Sequence, residues 1–142
     1  MRSNNTKFDV IVIGSGAAGL TLALRAADNC SVAVLSKGDL HQGATFYAQG
    51  GIAAVLDGTD STESHASDTY RAGANLGDPE IIKYIVENST KAVEWLIEQG
   101  VPFTTKAEIE DGSRAESNNS NKIQPTSLHL TKEGGHTHHR II

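Results

Sequence analysis

The fold of this chain is decided by the stretch Val10-Ile-Val-Ile-Gly-Ser-Gly-Ala-Ala-Gly19. Its first four residues are β-branched, a run that indicates a strand buried on both faces, as in a parallel sheet. Gly14, Gly16 and Gly19 then follow with the G-x-G-x-x-G spacing of a dinucleotide-binding turn. A strand that runs directly into such a turn is typical of a nucleotide-binding α/β protein.

Each glycine of this turn has a separate physical task. Gly14 permits the tight turn out of the strand, and Gly19 allows the following helix to pack against that strand. Gly16 has no Cβ, so the backbone can come close to a pyrophosphate. The N–H groups of the first helical turn and the helix dipole attract the negative charge. The motif therefore predicts a bound dinucleotide, with a chance glycine-rich turn as the competing interpretation.

The residues after the turn complete a βαβ unit. Residues 17–28 carry alanines and leucines at helical spacing, and residues 31–35, which are apolar after Ser31, predict a second strand. Strand, turn, helix and strand within about 30 residues form the βαβ pattern, whose crossover is right-handed. The predicted fold is α/β: a Rossmann-like domain with an incomplete parallel sheet, followed by a helical segment.

Start signals predict two helices in the middle of the chain. Asp60 with Glu63 three residues later resembles a capping box, and the helix would end near Ala74. The sequence Asp78-Pro79-Glu80 is a second start signal, with the aspartate as cap and the proline at the first helical position. The buried face of this second helix would consist of Ile81, Ile82, Ile85 and Val86.

The last third of the chain contains three further predicted segments. A third helix is expected over residues 89–99, with Gly100 ending it. Residues 106–126 hold very few apolar side chains, which predicts a mobile polar surface loop. Residues 128–130 alternate in the manner of a strand.

Composition excludes several classes of protein. The 142 residues carry a formal net charge of −5 without a basic stripe, so no nucleic-acid partner is expected. The longest apolar run, residues 52–56, is far shorter than the roughly 18 residues that span a bilayer, so no membrane span is expected. The single cysteine, Cys30, excludes an internal disulfide framework. Because the first nine residues also lack the apolar core of a signal peptide, a cytoplasmic location is predicted.

Histidines are concentrated near the end of the chain, at His136, His138 and His139, beside Arg140. No cysteine is close in sequence, and strand alternation would send His138 and His139 to opposite faces, so no metal site is expected. We expect these histidines and Arg140 to line the active-site side of a strand or to pair with an anionic group. His41 and His65 are expected at the surface.

Three segments together resemble one superfamily of flavoproteins. Residues 14–19, then Leu35-Ser-Lys37, then residues 44–51 resemble the succinate dehydrogenase/fumarate reductase flavoprotein superfamily. Residues 45–54, 94–101 and 130–136 resemble, more specifically, the L-aspartate oxidase family. The resemblance runs through nearly the whole chain and fails only at the polar stretch 106–126. The chain is thereby identified as the N-terminal part of an FAD-binding domain.

The resemblance implies a bound FAD and the residues that hold it. Residues 15–18 would meet the pyrophosphate, Lys37 the adenosine side, and residues 44–51 the isoalloxazine and its phosphates. From geometry alone, Lys37 is equally well explained as a solvated lysine at a strand end, and the common acidic ribose ligand is replaced by Ser36-Lys37. The implied cofactor-binding residues are Gly14, Ser15, Gly16, Ala17, Ala18, Gly19, Ser36, Lys37, Ala44, Thr45, Phe46, Tyr47, Ala48, Gln49, Gly50 and Gly51.

One position implies how the flavin is attached. Succinate dehydrogenases hold FAD covalently through a histidine at the position of Ala44. Alanine has no nucleophile, so the resemblance implies non-covalent FAD and favours the oxidase over the membrane-bound respiratory enzymes.

The resemblance also implies a reaction. A hydride would pass from Cα of L-aspartate to flavin N5, giving iminoaspartate, and dioxygen or fumarate would reoxidise the flavin. The product would be handed to quinolinate synthase in NAD biosynthesis. Glu133 would bind the substrate ammonium group, a role that its Gly-Gly neighbours favour over the alternative of a solvated turn residue. The catalytic arginine and the capping and C-terminal domains are expected beyond Ile142, so this chain would contain no catalytic residue and be inactive alone.

Three alternatives stay open. The first is a soluble fumarate reductase-type flavoprotein. The second is a non-catalytic module that binds FAD or NAD and does no chemistry. The third is that the isolated chain does not fold, because a Rossmann sheet without its later strands leaves edges and apolar faces uncovered.

Overall fold

The computed structural model describes residues 6–112 and 123–142. The chain divides into two compact units, Met1–Gly50 and Gly51–Ile142.

The first unit is the predicted βαβ unit. Strand β1 (Val10–Ile13) leads into helix α1 (Ala17–Ala27), which returns to strand β2 (Val32–Leu35). The two strands pair in parallel, with Val10 opposite Val32 and Ile13 opposite Leu35. The predicted α/β fold with a small parallel sheet is confirmed.

The burial of β1 differs from the prediction. Val12 is buried and lies beside α1, but Ile11 and Ile13 are 59% and 86% exposed. Because side chains alternate across a strand, these two isoleucines lie on the sheet face opposite α1. The expectation that β1 is buried on both faces is therefore wrong for the part of the chain that the structure describes, in which a helix packs on one face only.

The second unit is mainly helical. Helices α2 (Thr62–Ala72) and α3 (Pro79–Glu98) pack against each other, followed by the short helix α4 (Lys106–Asp111) and the 3₁₀ helix Pro125–Ser127. Ala54, Val93 and Leu128 are fully buried and form the core of this unit. Partly buried apolar side chains pack around them: Leu56, Ile97, Phe103, Ile123 and Ile142.

Short backbone pairings connect the extended segments of this unit. Ile141 pairs antiparallel with both Ala53 and Thr131. The strand predicted at residues 128–130 is reduced to a single bridge between Thr105 and Leu128, so that prediction is wrong. The physical reason is that Leu128 directly follows the 3₁₀ helix, and its N–H is still bonded to the carbonyl of Pro125.

The helix predicted to start at Asp78 and the helix predicted over residues 89–99 are one continuous helix, α3. Asp78 caps it as predicted, and Gly100 follows its end with φ of +82°. Ser89, where a separate helix was predicted to begin, lies inside α3, and its hydroxyl donates to the carbonyl of Val86 in the preceding turn. The predicted buried face is also partly wrong, since Ile81 and Ile85 are 56% and 61% exposed while Val86 and Val93, two turns apart, are buried.

Two start signals behave differently from the prediction. Helix α2 is capped by Ser61, whose hydroxyl accepts from the N–H of Ser64, and not by Asp60. The segment predicted as a polar loop begins instead with helix α4. A capping box between Thr105 and Glu108 stabilises the start of this helix. The loop prediction is therefore wrong at Lys106–Asp111, and its residues 113–122 lie outside the described residues.

Candidate functional site

The turn after β1 has the backbone geometry that the glycine pattern predicts. Gly14 has φ of +111°, a conformation that L side chains rarely adopt, and its N–H donates to the carbonyl of Leu35 at 2.8 Å. A Cβ on Gly19 would lie 2.1 Å from the carbonyl oxygen of Gly14. The first and third glycines are therefore required by the fold of the turn itself.

Gly16 is different, because the protein does not need a glycine there for its own packing. A Cβ at this position would meet only the hydroxyl of Thr45, at an ordinary contact distance of 3.6 Å. The open space above Gly16 is the kind of cradle that a pyrophosphate occupies in dinucleotide-binding turns.

The start of α1 offers hydrogen-bond donors to an anion. Gly16 is the N-cap and supplies no side-chain cap, and the first turn carries no acidic residue. Ala17 donates its N–H to Thr45 Oγ1 at 3.2 Å, whereas the N–H groups of Ala18 and Gly19 have no acceptor among the described residues. Unbonded N–H groups and the positive end of the helix dipole together attract phosphate. This end of the site fits the diphosphate of FAD.

The structure brings three of the predicted cofactor-binding segments together. The hydroxyls of Ser15 and Ser36 lie 3.0 Å apart, which connects the glycine turn to the residue after β2. The bond from Ala17 to Thr45 connects the turn to segment 44–51. Lys37 follows Ser36 and is exposed, so its two interpretations stay open.

The remaining predicted residues of the first unit lie at its surface. Phe46 and Tyr47 are 62% and 67% exposed, and their rings pack edge to face at 5.2 Å. The other four are also exposed: Ala44, Ala48, Gln49 and Gly50. Their contacts with the flavin stay predictions.

Two predicted site residues belong to the second unit. A Cβ on Gly51 would lie 2.3 Å from the carbonyl oxygen of Ile142, so packing alone explains this glycine. Glu133 is exposed, and its carbonyl accepts from the N–H of His136 across a tight turn. The roles of Gly51 in cofactor binding and Glu133 in substrate binding stay predictions.

The second unit also contains a buried charge cluster that the sequence analysis predicted only in part. Arg140 is fully buried. Its guanidinium donates two hydrogen bonds to Asp60, both of 2.7 Å, and a third to Asp68 at 2.8 Å. Asp60 and Asp68 are likewise nearly inaccessible to solvent. We call Asp60, Asp68 and Arg140 the arginine cluster.

The pKa values of these three groups follow from their contacts. Burial alone would raise the carboxyl pKa values, but hydrogen bonds and the charge of Arg140 outweigh it and hold the pKa of Asp60 below its usual value. The pKa of Asp68 is lowered further, because Thr137 donates to it as well. Conversely, the two carboxylates raise the pKa of Arg140 against the effect of burial. All three groups are therefore charged near neutral pH.

Two of the three clustered histidines contact the arginine cluster. His138 Nδ1 lies 3.3 Å from Asp60 Oδ1, and His136 Nδ1 lies 3.3 Å from Arg140 Nη1. The prediction that this group of residues pairs with an anionic group is confirmed for Arg140, which binds both carboxylates, whereas His138 Nδ1 also lies 3.3 Å from Arg140 Nη2. His139 is exposed. Within residues 6–112 and 123–142, no three His, Cys, Asp or Glu side chains are arranged to hold a metal ion.

His65 corrects one expectation of the sequence analysis. It is 5% exposed and therefore not a surface residue. Its ring lies 5.6 Å from that of His136, and no hydrogen-bond partner of Nδ1 is found in the described structure. Burial, with the positive charge of Arg140 nearby, lowers the pKa of His65. Asp60 and Asp68 lie 80 and 72 residues before Arg140, so no local pattern could have predicted this cluster.

No helix in the described ranges is both long and apolar enough to cross a membrane.

Comparison with known proteins gives consistent results at three levels. A family model described as "FAD binding domain" matches residues 9–142. The chain is 54% identical over 134 residues to an L-aspartate oxidase of Yersinia pestis, an alignment that covers 94% of this chain and 23% of that protein. It is 51% identical over 142 residues to an L-aspartate oxidase of Pseudomonas aeruginosa, covering 99% and 24%.

Among solved structures, the chain is similar to a mutated E. coli quinol fumarate reductase FrdA, with a TM-score of 0.70 and 28% identity. That match covers 96% of this chain and 21% of FrdA. The chain thus spans about a quarter of the length of the two bacterial L-aspartate oxidases, at 23% and 24%.

Proposed function

This chain belongs to the FAD binding domain family, and from that membership we propose that it forms the pyrophosphate-binding part of an enzyme that oxidises L-aspartate to iminoaspartate. The observation that supports this proposal is the start of α1, where the N–H groups of Ala18 and Gly19 have no acceptor among the described residues and a Cβ on Gly16 would meet only Thr45 Oγ1. The substrate is proposed from the high identity to the two bacterial L-aspartate oxidases.

Three groups of residues have distinct tasks in this proposal. The N–H groups of Ala18 and Gly19 donate to the diphosphate, where the helix dipole adds to the attraction. Thr45 holds its own segment against the turn through the N–H of Ala17. The Ser15–Ser36 contact fixes the end of β2 beside the turn. We propose that Lys37, the next residue, binds the adenosine side of the cofactor.

The redox chemistry belongs to the cofactor. Bound FAD would supply the acceptor for the hydride from Cα of the substrate, with dioxygen or fumarate as the final electron acceptor. We propose that the FAD is held without a covalent bond, because Ala44 offers no nucleophile. Delivery of the product to quinolinate synthase and a cytoplasmic location belong to the same proposal.

The substrate preference would come from Glu133. A carboxylate there binds the ammonium group of L-aspartate, which succinate lacks. The similarity to fumarate reductase FrdA supports a second candidate, a fumarate reductase-type flavoprotein that handles dicarboxylates without an amino group. Turnover of succinate or fumarate without turnover of L-aspartate would favour that candidate.

The activity is tested on the full-length gene product. We expect the purified protein to show flavin absorbance and to form peroxide with L-aspartate but not with succinate. Acid precipitation should leave the yellow flavin in the supernatant, because no covalent bond retains it. Flavin in the pellet would contradict non-covalent binding, and a flavin-free protein would contradict the proposal as a whole. FAD binding without turnover of any of these substrates would indicate a non-catalytic module.

The pyrophosphate site is tested by replacing Gly16→Val in the full-length protein. The branched side chain fills the space above the turn but meets little of the protein itself, so the variant should fold and lose FAD on gel filtration. Gly58→Val is a matched control, since a Cβ at Gly58 would meet nothing within 4 Å, so the same side chain is added there without a clash. Gly19→Ala should instead disturb the fold, because its Cβ meets the backbone of Gly14. Normal flavin content in the Gly16 variant would contradict the proposed site.

A further inference from the structure

Glu133 begins a tight turn, which we call the Glu133 turn, residues 133–136. The N–H of His136 donates to the carbonyl of Glu133 at 3.2 Å, and Gly135 has φ of +87°. Positive φ at the third position is the signature of a type II turn, which glycine permits. The backbone of the residue proposed to bind substrate is therefore in a defined conformation.

Backbone hydrogen bonds close the base of the segment that carries this turn. The N–H of Arg140 donates to the carbonyl of Thr131 at 3.1 Å, and the N–H of Thr131 donates to Ile141 at 2.8 Å. The segment before the Glu133 turn and the segment after it are thus hydrogen-bonded to each other close to the turn.

Thr137 attaches the other side of the turn to helix α2. Its backbone N–H and its hydroxyl both donate to Asp68 Oδ2, each at 2.7 Å. A Cβ on Gly135 would lie 3.3 Å from the Cβ of Ala72, so the turn also lies against the end of the same helix. Helix α2 therefore supports the Glu133 turn along one side.

Arg140 fixes the carboxylate to which Thr137 is bonded. Asp68 Oδ2 accepts from Arg140 Nη1 at 2.8 Å, and the same guanidinium is held in place by two bonds to Asp60. Because Asp68 and Arg140 are buried, both side chains are held in one conformation by their partners. A fixed Asp68 gives Thr137, and with it the Glu133 turn, a fixed position.

We propose that Thr137, Asp68 and Arg140 act as a clamp that positions Glu133 to recognise the α-ammonium group of the substrate. This inference rests on the proposed function of Glu133. Preorganisation of a binding group lowers the entropy lost on binding, so a looser turn weakens recognition of the ammonium group more than it slows the chemistry. Thr137, Asp68 and Arg140 are positioning residues in this proposal, because they act through Glu133.

The test uses the full-length flavoprotein and the variant Thr137→Val, which removes the hydroxyl donor but keeps the side-chain volume and the backbone N–H. We expect KM for L-aspartate to rise about fivefold to tenfold, with kcat and flavin content nearly unchanged. Thr137→Ser keeps a hydroxyl and should restore most of the affinity. Thr69→Val is the matched control, since the Thr69 hydroxyl donates to the carbonyl of His65 within α2, and among the described residues it has no hydrogen bond to the turn.

A double-mutant cycle separates positioning from general loss of structure. Glu133→Gln should raise KM by itself, and adding Thr137→Val to it should then have little further effect, because the two act through one group. A Thr137→Val effect that persists in the Glu133→Gln background would overturn the clamp. An unchanged KM in Thr137→Val would overturn it too, while leaving the role of Glu133 intact. An unchanged KM in Glu133→Gln would remove the substrate role of Glu133 and the clamp with it.

Discussion

The start of α1 and the arginine cluster are both rich in polar or charged groups, but they differ in how these groups are paired. We call the start of α1 the open region, because some of its donors have no acceptor among the described residues, and the arginine cluster the closed region, because its charges bind each other. At the start of α1, N–H groups without an acceptor among the described residues lie beside open space. In the arginine cluster, each carboxylate of Asp60 and Asp68 accepts from Arg140. Unbonded donors indicate where a ligand completes the structure, whereas matched buried charges hold chain segments together.

The largest effect on stability should come from removing the cation of the arginine cluster. Arg140→Met removes a buried cation and leaves two carboxylates without it, which should cost about 3–5 kcal/mol of unfolding free energy. Arg71→Met is the matched control, because Arg71 pairs with the same Asp68 but its side chain is 66% exposed, and its loss should cost at most about 1 kcal/mol. Denaturant unfolding of the intact protein measures both. Equal losses in the two variants would show that burial does not distinguish the two ion pairs.

A smaller effect should appear in the pH dependence of stability. His65 has a lowered pKa in the folded protein, so below its ordinary value of 6.5 the unfolded chain takes up a proton that the folded protein resists. Stability attributable to this group should therefore be present above that pH and fall as the pH drops from 7 to 5. His65→Phe, which cannot titrate, should flatten this part of the profile. The exposed control His41→Phe should leave the slope unchanged, and a slope unaffected by His65→Phe would contradict the burial argument.

The conformation of the open region could be predicted from the sequence, because the residues that determine it are close together in the chain. Gly14, Gly16 and Gly19 lie within one turn and its helix, and their spacing directly encodes the φ angle and the close approach that the structure shows. The cap at Asp78 was predicted for the same reason, since the aspartate bonds to N–H groups two and three residues later.

The closed region could not be predicted, because its partners are far apart in sequence. Asp60 resembles a helix cap locally, but Arg140 binds its carboxylate and Ser61 takes the cap position. His65 carries no local sign that it is buried. The start of α4 is a different case, since Thr105 and Glu108 form a readable capping box that the polar composition of the segment obscured.

Hydrogen–deuterium exchange of the full-length protein, with and without bound FAD, tests the central claim most directly. If the backbone donors at the start of α1 hold the diphosphate, the amides of Ala18 and Gly19, which have no acceptor among the described residues, should gain protection when FAD binds. The amides of Thr137 and Arg140, which already donate within the protein, should change little. Unchanged exchange at Ala18 and Gly19 in a preparation that contains stoichiometric FAD would contradict the account.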